Sequence, residues 1–209
     1  MYSSWCDNLH LVSLSHQADQ DRPHLELPLA PPGLFRFCIF SLTFSNDDSE
    51  ILGGSNDGCL YIFNRQVNNP EWSLIFHGHL LLLRSNEQRT VRIAAHDNDV
   101  NSVCFLDSTT QVLASAADDG LCKVWDRRAL REDDPVPVGE LAGHVDGLTY
   151  VSPKGDGRYL ITNSKDQTIK LWDLRKFSGR AAVEESRRAV DGQRWDYRWG
   201  QAVQAVTVQ

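Results

Sequence analysis

One pattern is written twice in this chain. His96-Asp97-Asn98-Asp99-Val100 is followed, 23 residues after the histidine, by Asp119 and then by Lys123-Val124-Trp125-Asp126. His144-Val145-Asp146-Gly147-Leu148 is followed after 22 residues by Asp166 and then by Lys170-Leu171-Trp172-Asp173, and Asp to Trp is 6 residues in both copies. A period of this kind constrains the fold more than composition does. Each repeat is one supersecondary unit that cannot bury its apolar face alone, so neighbouring units must stack.

The units read as strands joined by tight turns. In the unit that holds the first copy, the second of the chain, residues 100–106 alternate as a strand, Asp107-Ser108-Thr109-Thr110 turns, and 111–116 form a second strand. Asp118-Asp119-Gly120 is a hairpin signal leading into 121–125. The third unit repeats the order at 147–151, 159–163 and 168–172, and an earlier one at 37–44, 50–54 and 59–63. A fourth strand is expected just before each following histidine, at 91–93 and 136–141. A His, a Ser or Thr, an Asp and a Trp at these offsets resemble a WD-type propeller blade. The fold class expected is therefore all-β, a partial WD-repeat β-propeller of about three four-stranded blades.

The divisions follow. Residues 1–33 are an irregular, Pro-containing segment, 34–66 a degenerate blade, 86–131 and 132–176 regular blades, and 177–209 a charged linker and tail. Turn Asp to turn Asp is 47 residues from Asp119 to Asp166 but 62 from Asp57 to Asp119. The surplus is a non-repeat apolar insert at 67–85. Lys176 and the charge-rich residues that follow suit a solvated helix or linker. A closed propeller needs about seven blades, with about four the lower limit. Open end blades would expose strand edges, so the chain reads as a fragment or truncated isoform of a larger propeller.

The net charge of −7 argues against nucleic acid or an anionic membrane as the main partner. Five cysteines without a CxxC pair read as small apolar residues of a reducing compartment. No secretory signal or membrane-spanning run is evident, which points to a nuclear or cytoplasmic protein.

The repeat residues are expected to form buried hydrogen-bonded relays, His96, Ser115, Asp119 and Trp125 in one blade and His144, Thr162, Asp166 and Trp172 in the next. In the degenerate blade Asp57 is kept, but Gly53, Phe63 and Phe35 stand where the other three belong, so packing is expected to hold it. His96, Ser115 and Asp119 are also the residue types of a hydrolase triad. Their recurrence one repeat later argues for structure, because an active site is not duplicated in every blade. No catalytic residue, metal or cofactor is expected. His77 and His79 have no third ligand at sensible spacing.

Trp125-Asp126-Arg127-Arg128 and Trp172-Asp173-Leu174-Arg175 both read W-D-x-R in corresponding positions. This paired motif, with Gly53-Gly54-Ser55-Asn56-Asp57-Gly58-Cys59-Leu60-Tyr61 and Asn163-Ser164-Lys165-Asp166-Gln167-Thr168-Ile169, resembles the WD-repeat substrate receptors of cullin-4 RING ubiquitin ligases. The likeness covers about residues 35–66 and 86–199. It implies a non-enzymatic scaffold with two partners, the ligase's adaptor protein and an unknown substrate protein. It also implies that Arg128 and Arg175 contact the adaptor from the bottom of the blades, with substrate bound elsewhere. Trp195-Asp196-Tyr197-Arg198 has the same letters but no preceding turn or strand, and is set aside. A scaffold of another complex, or a non-functional truncated isoform, are the alternatives.

Overall fold

The computed structural model describes residues 37–64 and 91–193, and the backbone of 2–3, 8–11 and 25–28. Short strands β1 (Tyr2–Ser3), β2 (Asn8–Leu11) and β3 (Leu25–Pro28) pair antiparallel in a small sheet, within the segment that shows no period in the sequence. The insert at 67–85, His77 and His79, and the string at 195–198 lie outside the described residues.

The first blade is an antiparallel meander of β4 (Ile39–Phe44), β5 (Glu50–Ser55), β6 (Cys59–Asn64) and β7 (Val91–Ala94). The second contains β8 (Val100–Phe105), β9 (Val112–Ala117), β10 (Leu121–Asp126) and β11 (Gly139–Ala142). The fourth strands fall where the histidine spacing places them, the second beginning at Gly139 rather than at Val136. The third blade contains β12 (Leu148–Pro153), β13 (Tyr159–Ser164) and β14 (Ile169–Asp173), three strands among the described residues rather than four. Helix α1 (Arg180–Asp191) follows.

The blades stack face to face. Leu113, Ala117 and Trp125 of the second blade join Leu52, Leu60, Ile62 and Ile93 of the first in one apolar cluster. Ala114, Ala116, Cys122 and Val124 point the other way and meet Leu148, Val151 and Leu160 of the third. A strand covered on both sides has no polar face, which is why 112–117 reads almost wholly apolar or small. The third blade is covered on one side. Leu160, Thr162 and Ser164 are buried while Ile161 and Asn163 between them are exposed, and Ile169 and Leu171 share that open face.

Inner strands are also joined laterally. The Val103 amide donates to Ser41 Oγ at 3.2 Å, and one blade on, the Val151 amide donates to Ser102 Oγ at 3.1 Å. Each link satisfies a backbone donor that no strand neighbour takes. The free thiols Cys38, Cys59, Cys104 and Cys122 are buried. Burial pushes Cys59 up to about 11 and Cys104 up to about 12, so both remain protonated and act as apolar filling.

Candidate functional site

Both relays form with the residues the spacing picks out. In the second blade Trp125 Nε1 donates to Ser115 Oγ at 2.9 Å, Ser115 Oγ lies 2.7 Å from His96 Nε2, and His96 Nδ1 lies 2.8 Å from Asp119 Oδ2. The third blade repeats this with Trp172 to Thr162 at 2.8 Å, Thr162 to His144 at 2.7 Å and His144 to Asp166 at 2.8 Å. The proton directions follow by elimination. An indole can only donate and an ionised carboxylate can only accept. The histidine therefore carries its proton on Nδ1, and the hydroxyl donates to Nε2 while accepting from the indole. Burial lowers the His96 pKa by more than its bond to Asp119 raises it, which keeps the imidazole in this neutral form. Asp119 is pushed up by burial, but His96, the nearby Lys123 charge and the Leu121 amide together outweigh that and hold the carboxyl below its ordinary range.

These groups cannot serve as a hydrolase site. Ser115 and Thr162 are fully buried, and each hydroxyl proton is committed to its histidine. The set supports the turn that ends each second strand. Leu121 donates its amide to Asp119 Oδ1 at 3.1 Å, and Thr168 donates its amide to Asp166 Oδ1 at 2.9 Å. Among the described residues no group of three or more His, Cys, Asp or Glu side chains could hold a metal ion.

The degenerate blade corrects the expectation that packing alone holds it. Asp57 accepts from Ser55 Oγ, from Tyr61 Oη at 2.7 Å and from Arg92 Nη2 at 3.1 Å, and Arg92 Nε donates to Tyr61 Oη at 3.1 Å. Burial pushes Asp57 up, but these three bonds and the Cys59 amide together outweigh it and hold the carboxyl below its ordinary range. An arginine from the fourth strand thus replaces the histidine of the entry loop. Phe35 lies outside the described residues.

The arginines of the two W-D-x-R strings lie at the other end of β10 and β14 from the Asp turns. Arg128 donates Nε to Asp126 Oδ1 at 2.9 Å and Nη2 to Asp126 Oδ2 at 2.6 Å, and its backbone amide reaches Oδ1 at 3.0 Å. Arg175 makes the same contacts to Asp173 at 2.9, 2.6 and 3.1 Å. Each aspartate thereby holds its arginine as a fixed fork. The side chains are 68 % and 61 % exposed, and in neither does Nη1 donate to a described residue. What the pair offers is two identical, preorganised cation heads aimed at solvent.

Arg127, at the variable position of the motif, is a clamp the sequence did not reveal. It donates Nη1 to Glu50 Oε2 at 2.6 Å and Nη2 to Glu50 Oε1 at 2.9 Å, tying the second blade to the first. Its partner is 77 residues away and carries no motif.

Helix α1 packs on the Asp-turn end of the second blade and on the His144 loop that leads into the third. Val183 and Ser186 are buried, and Ser186 Oγ donates to the His144 carbonyl at 2.5 Å. The sequence reading of a solvated helix holds for one face. On the other, Ala182, Val183, Ala189 and Val190 recur at helical spacing and dock. Gly120, at φ +79°, leaves the space that Val190 fills. No helix among the described residues is long and apolar enough to cross a membrane.

Comparisons with known proteins bear on this geometry. A family model, WD domain, G-beta repeat, matches residues 35–64, 87–126 and 135–173, the three blades. A protein named DDB1- and CUL4-associated factor 11 homolog, from Caenorhabditis briggsae, is 44 % identical over 77 % of this chain and 26 % of its own length. The Caenorhabditis elegans protein of that name is 39 % identical over 95 % of this chain and 32 % of its own length. A LEC14B homolog from Prunus armeniaca is 42 % identical over 78 % of this chain and 30 % of its own. The chain thus spans about a third or less of these relatives. A solved structure of U3-55K shares the fold, with a TM-score of 0.51 at 18 % identity over 68 % of this chain and 38 % of that one. The sequence likeness to cullin-4-associated WD-repeat proteins agrees with the names of the two worm relatives.

Proposed function

The chain belongs to the WD domain, G-beta repeat family, and from that premise we propose that it is a protein-interaction scaffold associating with DDB1 and CUL4. In this reading it is substrate-receptor material of a cullin-4 RING ubiquitin ligase and works in the nucleus or cytoplasm. It brings a protein to the ligase and performs no bond chemistry itself. Arg128 and Arg175 carry the docking. The observation behind this reading is the repetition of one unusual arrangement in adjacent blades, an exposed arginine clamped at Nε and Nη2 by the aspartate two residues earlier. A merely solvated arginine gains little from an exposed ion pair and has no reason to be held twice in one pose. A guanidinium already fixed loses less freedom on binding, which favours an interface role. The substrate belongs on other surfaces, since α1 packs on the opposite end of the second blade and on the His144 loop.

The test is capture of the full chain by an immobilised DDB1–CUL4 complex. Arg128→Ala with Arg175→Ala is expected to lose about 2 kcal/mol or more of binding, roughly thirtyfold, as interface arginines often do. Equal recovery of wild type and double variant removes the assignment.

A further inference from the structure

The third blade carries a cationic cluster that the arginine pair does not account for. In the turn between β12 and β13, Lys154 Nζ lies 5.2 Å and Arg158 Cζ 4.7 Å from the centroid of the Tyr159 ring. Arg158 Nη2 is 3.7 Å from Asp173 Oδ2, the carboxylate that orients Arg175. Lys154, Tyr159, Arg158, Asp173 and Arg175 are therefore one contiguous group. Its three cations are 65 %, 45 % and 61 % exposed in the order Lys154, Arg158, Arg175.

The second blade has the opposite character in the same place. Its turn carries Asp107, whose Oδ1 accepts the Val112 amide at 3.0 Å and whose charge is felt by Arg128. Arg128 thus sits between Asp126 and Asp107, whereas Arg175 shares Asp173 with a second cation, Arg158. The two halves of the proposed docking face differ in what surrounds the arginine, a carboxylate on the second blade and two further cations on the third.

We propose that Lys154, Arg158 and Arg175 form a single seat on the third blade for an acidic polypeptide segment of the docking partner. The inference rests on the proposed role of the arginine face and specifies what the partner presents there. The ring fixes both turn cations through cation–π contact, so the seat is formed before binding. Asp156 and Asp173 lie among the cations, 2.9 Å from Lys154 and 2.6 Å from Arg175. They would repel a continuous phosphate backbone, while carboxylates spaced along a peptide can pass between them. The chain's net charge of −7 also disfavours a polyanionic nucleic acid.

The experiment measures the affinity of the full chain for DDB1–CUL4 at about 50 and about 200 mM salt. Wild type is compared with Lys154→Glu plus Arg158→Glu and with Arg128→Ala plus Arg175→Ala. Charge reversal in the turn is expected to weaken binding at least tenfold at low salt and to flatten the salt dependence. Unchanged affinity and salt dependence overturn the acidic-seat inference, while the alanine pair separately decides the proposed function. Lys154→Gln plus Arg158→Gln, with the unfolding midpoint of each variant, guards against misfolding and is expected to show the same effect in weaker form. The backbone bonds of Arg158 do not depend on its side chain. A single-stranded oligonucleotide that binds wild type, is lost on charge reversal, and is lost without any change in DDB1–CUL4 affinity also overturns it.

Discussion

Replacing Ser115 with alanine is expected to destabilise the chain by about 2–5 kcal/mol in urea unfolding, although the substitution removes a single oxygen. That oxygen serves two buried groups at once. Without it the Trp125 indole N–H and His96 Nε2 are both left unpaired, and Ser115, Trp125 and the His96 side chain are essentially inaccessible to water. Each buried orphan costs about 1–3 kcal/mol. Thr162→Val removes the corresponding oxygen at nearly constant volume. Its cost is expected to be smaller, because Trp172 is only half-buried and can find water. The relay also sets the acid limb of stability. His96 is held neutral in the fold, so below the ordinary imidazole pKa of about 6.5 the unfolded chain binds a proton that the folded chain refuses. Stability is then complete above that pH and declines as pH falls through it, by up to about 1.4 kcal/mol per unit. Ser115→Ala removes the donor that selects the neutral imidazole, so its pH slope should be shallower. A Ser115→Ala chain as stable as wild type would show that the relay is decorative.

The second large effect is expected at Gly58. This residue sits at φ +74° after the Asp57 turn, and a Cβ there would fall on the His96 carbonyl oxygen. That neighbour is backbone. It is also held in place, because the Ala95 and His96 amides donate to the Gly58 carbonyl at 3.1 and 2.9 Å. Gly58→Ala therefore combines about 1–2 kcal/mol of left-handed strain with displacement of the loop that presents His96 to its relay. A loss of at least about 3 kcal/mol is expected. Gly120→Ala has the same backbone strain at φ +79°, but the atom it would clash with is on the Val190 side chain of α1 rather than on backbone. It should cost less and should loosen the helix rather than the blades, seen as faster amide exchange confined to 180–191. Equal costs for the two glycines would contradict this account of the blade junction.

The relays were legible because strand register leaves no freedom. With Asp119 in a tight turn, Ser115 and Trp125 are on the same side of paired strands, and Trp125 pairs with Leu113 two residues from Ser115. Spacing alone therefore puts indole, hydroxyl and imidazole in reach. The first blade misled because its polar atoms moved rather than vanished. Tyr61, at the position of Lys123, and Arg92 on β7 supply what Gly53 and Phe63 cannot. An unpaired Asp57 in a turn was a signal that some donor had to arrive, but nothing local said from which strand. Arg127 and Glu50 meet only because two blades stack, a relation no local pattern encodes. The docking side of α1 rests on two valines, two alanines and a serine, a short apolar stripe set among charged residues that reads as readily as a solvated helix.

The central claim is that this chain is a docking module whose arginine end meets the ligase. It is tested most directly by amide hydrogen exchange of the full chain with and without DDB1–CUL4. Slowed exchange is expected at 126–128, 154–159 and 173–176, with α1 at 180–191 unchanged. A complex that forms with protection confined to α1 and the Asp-turn end, or with no protection at Arg128 and Arg175, would contradict it.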